Sequence, residues 1–185
     1  MKMYFVMMKT QQVQTKESLT IRFAKAADIE GRGKRSGIRD LYNASRRYER
    51  AQGRSPLSPP EYKTWMRMID KQNSVDQCRY QFLIAEDKKG NIVGMSLATH
   101  SPRNIYTMWN KLVISPKYQG QGLGQTFFEA VKKKAVNLNK KSIRVKAESG
   151  KIKASSYYRK LGFYPYDAYV SQSGIKINRL SKRLR

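Results

Sequence analysis

One cysteine, Cys78, and one histidine, His100, stand in 185 residues. A lone cysteine makes no internal disulfide, so a disulfide-stapled scaffold is excluded. One Cys and one His do not make a Cys/His zinc cluster, and no metal site is expected. A nucleophile–His apparatus would have to use His100, and no motif surrounds it. Acids are scarce as well, 13 Asp and Glu against 38 Lys and Arg. No stretch approaches the roughly 18 consecutive apolar residues of a membrane span. The opening run around Val6-Met7-Met8 is shorter than a signal-peptide core, and no small-residue cleavage site lies near it. These absences lead us to expect a soluble cytoplasmic protein with no membrane partner.

Apolar residues make up 39% of the chain and aromatics 11%, with 12 tyrosines. That is enough to bury a core, so a disordered basic tail is excluded, and the length suits one domain. The formal net charge is +25. Such a surface attracts nucleic acid and phosphorylated ligands and repels small cations. The excess is uneven: from Lys132 onward, 16 Lys and Arg face two acids, Glu148 and Asp167. The plain alternative is a self-repelling, well-solvated surface.

Residues 1–18 read as an N-terminal extension, 19–180 as the domain, and 181–185 as a basic tail. Leu19-Thr20-Ile21-Arg22-Phe23-Ala24 alternates apolar and polar, which predicts a half-buried strand. Ile38, Leu41, Tyr42 and Tyr48 fall near helical spacing over 36–51. A second helix runs through Tyr62, Trp65, Met66 and Ile69, with Ser58 as its expected cap before Pro59 and Pro60. Residues 80–85 and 92–98 form a hairpin around an Asp/Gly turn. Residues 106–114 form a long strand, Leu123 starts an amphipathic helix, and 142–148 is another strand. Ala154 to Leu161 is a short helix closed by Gly162, followed by strands at 163–170 and 175–180. The order β-α-α-β-β-β-α-β-α-β-β predicts one α/β domain of the α+β type, with a mixed, mostly antiparallel sheet of six to seven strands and helices on both faces.

Between the strand at 106–114 and the next helix stands Gln119-Gly120-Gln121-Gly122-Leu123-Gly124. Glycines let a ligand approach the backbone, and the free amides of a helix start favour an anion. A phosphate-loop NTPase would need Lys-Ser/Thr after its last glycine, where Gln125-Thr126 stand. A dinucleotide fingerprint opened by Gly120 and Gly122 would need glycine at Gln125. An ordinary glycine-rich turn remains the alternative.

Gln119-x-x-Gly122-x-Gly124 in this setting resembles the acetyl-CoA loop of the GNAT superfamily of acyl-CoA N-acyltransferases. Independently, Ala154-Ser155-Ser156-Tyr157-Tyr158-Arg159-Lys160-Leu161-Gly162-Phe163 is similar to that family's A-x-x-hydrophobic-Tyr-x-x-x-Gly-Phe segment. The resemblance covers roughly residues 19–170 and implies a sheet splayed between its fourth and fifth strands. It also implies an acetyl-CoA-dependent N-acetyltransferase working by direct attack of an amine on the thioester. By position, amides of Gln119, Gly120, Gln121, Gly122, Leu123 and Gly124, with Gln125 adjoining, would hold the pyrophosphate. Leu112, Val113 and Ile114 would flank the pantetheine arm, with an amide near Leu112 facing the thioester oxygen. Tyr158 would protonate the departing thiolate, a sensible role for a phenol; the alternative is a packing aromatic. Lys151 would contact coenzyme phosphate or stand solvated.

The family often places a basic carboxylate on the strand before the loop, but no Asp or Glu lies between Ser101 and Tyr118. Glu148, Glu86 and His100 are the remaining candidates for a base. The charge disfavours polyamine acceptors and suits an amine carried by, or associated with, nucleic acid: DNA, tRNA or a ribosome. Trp109, Tyr106, Tyr157, Tyr164, Tyr166 and Tyr169 either stack on bases or pack in the core and line the coenzyme groove. A nucleic-acid-binding or nucleobase-modifying protein on the same scaffold is the competing reading. Both monomer and homodimer fit.

Overall fold

The computed structural model describes residues 11–14, 18–31, 36–51, 53, 62–72 and 79–184. Cys78, the expected cap at Ser58, and the apolar run at Val6–Met8 lie outside them. Eight strands form one sheet: β1 (Gln11–Gln14), β2 (Ser18–Phe23), β3 (Tyr80–Glu86), β4 (Ile92–Thr99), β5 (Tyr106–Ile114), β6 (Ser142–Glu148), β7 (Tyr164–Val170) and β8 (Lys176–Arg183). Their order is β1-β2-β3-β4-β5-β6-β8-β7. Four helices accompany them: α1 (Ile38–Ala51), α2 (Tyr62–Gln72), α3 (Leu123–Asn137) and α4 (Ile152–Lys160). The expected mixed sheet is present. β1, which was not expected as a strand, adds an edge antiparallel to β2. The last strand runs to Arg183, three residues further than its expected end, because Ser181 to Arg183 stay paired with Ser142 to Arg144 of β6.

β3 and β4 are buried on both sides, which is why their sequences run apolar without clean alternation. On one side, Ile38, Leu41 and Tyr42 of α1 and Trp65 and Ile69 of α2 pack with Phe82, Ile84, Met95 and Val113. On the other, Phe127, Phe128, Val131 and Ala135 of α3 pack with Trp109, Ile143, Val145 and Phe163. Gln72, itself buried, joins the α2 layer to the sheet: its Nε2 donates to the Ala24 carbonyl and its Oε1 accepts from the Phe82 amide, each at 2.8 Å.

Every strand pairing is antiparallel except β5 with β6. Parallel neighbours need a crossover, and α3 supplies it. The parallel ladder runs only from Tyr106↔Ser142 to Trp109↔Val145. Beyond Trp109 the two strands part, so the expected splay lies between β5 and β6. A bulge marks the place: Leu97 pairs with Lys111 and Ala98 with Trp109, leaving Asn110 unpaired.

Candidate active site

The backbone of β5 beyond the bulge is half-used. The Ser115 amide donates to the Val93 carbonyl at 2.9 Å. Hydrogen-bonded pairs alternate along an antiparallel ladder, so Val113 and Lys111 also turn to β4. Leu112 and Ile114 therefore aim their amides and carbonyls into the splay. The Ile114 carbonyl accepts from Gln119 Nε2 at 3.1 Å, which ties the glycine loop to the end of this strand. The Leu112 side chain packs against the core on the α3 side, as Ile114 does, and Val113 is buried against α1 and α2.

The loop after β5 turns through a short 3-10 segment, Pro116–Tyr118, into α3. Gly122 caps α3 at φ 84°, a left-handed conformation that an L side chain resists, and a Cβ there would meet nothing within 4 Å. Leu123, Gly124 and Gln125 follow as the first helical residues, whose amides have no acceptor within the helix. Gly120, Gln121 and Gly122 are exposed, whereas Leu123 and Gly124 are buried. The glutamine side chains are engaged locally: Gln121 Nε2 donates to the Lys117 carbonyl at 2.9 Å and Gln125 Nε2 to Glu129 at 2.8 Å. What this loop offers an anion is backbone amides at the positive end of a helix dipole.

Tyr158 is carried by α4. Its ring stands 5.9 Å from that of Trp109, 5.7 Å from Phe163 and 5.5 Å from Tyr157. Trp109 is the last β5 residue paired with β6, so the phenol stands where the strands part. Part of its surface stays accessible, yet its surroundings are apolar, and burial pushes its pKa up to about 12. The group is therefore a protonated phenol at neutral pH, the state a proton donor needs. Tyr157, one of the aromatics expected to stack on bases or to pack, points toward α3. Its oxygen would lie 2.7 Å from a Cβ built on Gly124. That oxygen is buried with no hydrogen-bond partner, and burial, with Tyr158 beside it, raises its pKa. Gly124 is thus required for α3 and α4 to meet. The signal in the sequence is the third glycine of the loop, which the phosphate-loop and dinucleotide templates leave unexplained.

The candidate bases separate. His100 is 1% exposed and bound at both nitrogens, to Thr107 Oγ1 at 2.8 Å and Gln81 Oε1 at 3.2 Å. Gln81 Nε2 donates to the Ala130 carbonyl, so its Oε1 faces the histidine, Nε2 of His100 carries the proton, and Nδ1 accepts from Thr107. Burial, with Lys134 and Lys140 adding to it, depresses the His100 pKa to about 3. It is a neutral core histidine with no lone pair to spare. Glu86 is held by Arg22 at 2.6 and 2.9 Å, and Arg22 also grips Asp28 at 2.8 and 2.9 Å. This cluster staples β2 to β3, away from the splay. Glu148 ends β6 on the far arm of the splay, 3.3 Å from Lys151 Nζ. Lys151 is thus paired within the chain rather than standing free toward the loop.

A cleft of about 710 Å³ lies between α1 and the β3–β4 turn, lined by Asp40, Arg47, Asp87, Lys88 and Lys117 among others. Ser115, Lys117 and Tyr118, at the start of the loop, also line it, but Gln119 to Gln125, Leu112, Ile114 and the α4 residues do not. Among the described residues there is no group of three or more His, Cys, Asp or Glu able to hold a metal ion, and no helix is long and apolar enough to cross a membrane.

The acetyltransferase (GNAT) domain family matches residues 51–184, most of the chain. The chain belongs to the GNAT acetyltransferase family. With that membership come N-acetyltransferase activity and acetyl-CoA as co-substrate. Among curated proteins, none matches this chain in sequence. Solved structures share the GNAT fold at low identity. The PaiA N-acetyltransferase of Thermoplasma acidophilum, solved in complex with coenzyme A, superposes with a TM-score of 0.69 at 15% identity over 90% of this chain and 99% of that one. Ard1 of Thermoplasma volcanium gives 0.67 at 14% identity, over 90% and 98%. The spermidine/spermine N-acetyltransferase SpeG of Vibrio cholerae gives 0.62 at 18% identity, over 91% and 93%. The GNAT co-substrate fits what this chain presents: open backbone at a helix start for its phosphates and an unpaired strand edge for its amide-bearing arm.

Proposed function

We propose that this GNAT enzyme transfers acetyl from acetyl-CoA to an amine on a macromolecular, nucleic-acid-associated acceptor, with the chemistry at the parting of β5 and β6. What supports the reading of the chemistry is that β5, just past the last residue it pairs with β6, turns the Leu112 amide away from β4, while the Tyr158 phenol packs on Trp109 at that last pair. Amides of Gly120 to Gln125 receive the pyrophosphate, with Gln119 bracing the loop, and the open backbone of Leu112 and the Ile114 amide pair with the pantetheine arm, Val113 between them facing β4.

The neutral amine attacks the thioester carbonyl carbon. Negative charge gathers on the carbonyl oxygen, and the Leu112 amide stabilises it. The C–S bond then breaks, its electron pair leaves with sulfur, and the Tyr158 hydroxyl supplies the proton that makes the free thiol. The amine's own proton goes to Glu148, the carboxylate on the β6 arm, which Lys151 anchors.

SpeG is a spermidine/spermine acetyltransferase by name, and spermidine is a polycation. Here the β6 arm carries Arg144 and Lys146, and the molecule has a charge of +25, so a polyanionic carrier of the amine suits the potential better. The test is native mass spectrometry of the purified protein for bound coenzyme, then thiol release from acetyl-CoA with tRNA, DNA, ribosomes and polyamines as acceptors. Coenzyme binding with release on a nucleic-acid-linked amine is the expected result. Release with spermidine alone overturns the acceptor, and no release with coenzyme bound overturns the transfer. A new nucleoside mass without acetyl would instead support the nucleobase-modifying alternative.

A further inference from the structure

The helices divide the sheet unequally. α1 packs over β4 and β5 and α2 over β3, while Ile143, Val145 and Ala147 of β6 bury against the α3 side. Alternation then puts Arg144, Lys146 and Glu148 on the opposite face, with cross-strand partners Ser181, Arg179 and Ile177 of β8. No helix among the described residues covers this face of β6, β8 and β7. Every residue from Tyr164 to Ala168 of β7 is exposed, Tyr164 at 44% and Tyr166 at 40%.

What lies there is an alternation of guanidinium and phenol. The Arg144 guanidinium carbon is 4.0 Å from the Tyr106 ring centroid and 4.9 Å from that of Tyr166. Arg179 is 4.6 Å and Lys146 5.9 Å from the Tyr169 ring. Arg144 has no carboxylate partner among the described residues, and its Nε is buried without an acceptor. The two acids nearby are engaged, Asp167 by Arg179 at 2.7 Å and Glu148 by Lys151. An unpaired cation flanked by π-faces on an open sheet takes phosphate at the cation and a base against the ring. A second copy of the chain would instead bring these cations against one another.

We propose that the open face of β5, β6, β8 and β7 binds single-stranded nucleic acid, with Arg144 meeting phosphate and Tyr106, Tyr166 and Tyr169 stacking on bases. The face begins at the strands that splay, so a strand lying on it delivers its amine-bearing cargo beside the acyl group. The proposal rests on the nucleic-acid-associated acceptor above.

The experiment is fluorescence anisotropy of the full chain with labelled oligouridine and oligothymidine of roughly 12 nucleotides, a duplex of that length, and linear polyphosphate. Single strands of either sugar are expected to bind better than polyphosphate, with affinity falling steeply as salt rises. Tyr166→Ala and Tyr169→Ala are expected to weaken oligonucleotide binding roughly 5- to 100-fold and to leave polyphosphate unchanged. Arg144→Lys should weaken it less than Arg144→Ala, and Lys63→Ala on the exposed face of α2 should change nothing. Equal affinity for polyphosphate and single strands overturns the stacking face. Binding that ignores the Tyr and Arg changes overturns the surface but leaves nucleic acid as partner; no binding removes nucleic acid from the acceptor as well. A dimer in sedimentation that Tyr166→Ala dissociates makes the face a copy–copy contact and overturns the proposal. A thermal shift with acetyl-CoA on each variant reports the acyl site separately.

Discussion

At Tyr158 two demands meet in one side chain. The ring must pack on Trp109 and Phe163 to sit where the strands part, and the hydroxyl must stay protonated until sulfur leaves. Apolar surroundings serve both, since they hold the ring and raise the pKa to about 12. Tyr158→Phe keeps the packing and removes the proton, so kcat is expected to fall roughly 100-fold with acetyl-CoA affinity unchanged, as measured by steady-state kinetics and calorimetry. Glu148→Gln should lower kcat/KM by a similar order, as measured by steady-state kinetics. His100 makes a different prediction. Its folded pKa lies below its unfolded value, so the unfolded chain takes up the proton first as pH falls. Stability from this site is intact above about 6.5 and declines from there toward about 3. Urea unfolding at pH 7 and pH 5 should show that loss, and His100→Gln should reduce the slope whatever it does at pH 7.

Among the elements, the α3–α4 contact is the one most exposed to a single substitution. Gly124 faces the Tyr157 oxygen, and an added Cβ would lie 2.7 Å from it, closer than the groups can tolerate. Gly124→Ala must shift α4 or the N-terminal turn of α3, so it is expected to cost about 1–3 kcal/mol and to weaken acetyl-CoA binding. Tyr157→Phe removes the clashing oxygen, which has no hydrogen bond to lose. Combined in a double-mutant cycle by chemical denaturation, the two changes should be less damaging than their sum. β5 shows a related economy: the bulge at Asn110 separates a segment that pairs with β6 from one that leaves its Leu112 and Ile114 edge for a substrate.

For the molecule as a whole, the coenzyme site and the surplus charge are separable. A ligand that binds only the folded state stabilises it by about 2.7 kcal/mol at 100 times its Kd. For a domain of this size that is a Tm rise on the order of 5–10 °C, which differential scanning fluorimetry with acetyl-CoA should show. A few cations suffice for the coenzyme's phosphates. The remainder of +25 is partly organised on the open sheet face around Arg144 and Arg179.

Much of this was legible in the chain itself. Local pattern placed the strand at 142–148 and the helix from Leu123, because alternation and amphipathic stripes are local consequences of burying one face, and the β-forming run at 106–114 marked the strand between the hairpin and the loop. The glycine loop and the Ala154–Phe163 segment named the co-substrate by resemblance, since backbone access and a positioned phenol need particular residues at particular intervals. β1 was missed, because Gln11–Gln14 carries no apolar alternation and owes its strand to the neighbouring edge of β2. Which aromatics face solvent and which pack was also beyond local pattern: Trp109 and Tyr158 went to one side of the sheet, Tyr106, Tyr166 and Tyr169 to the other. The same holds for the acids and for His100, whose partners Gln81 and Thr107 come from other strands. Residue type and spacing determine what a segment forms and which ligand its backbone suits. Which side chains meet across the sheet, and so which carboxylate or cation is free to act, is decided by strand order and register, properties no single segment contains.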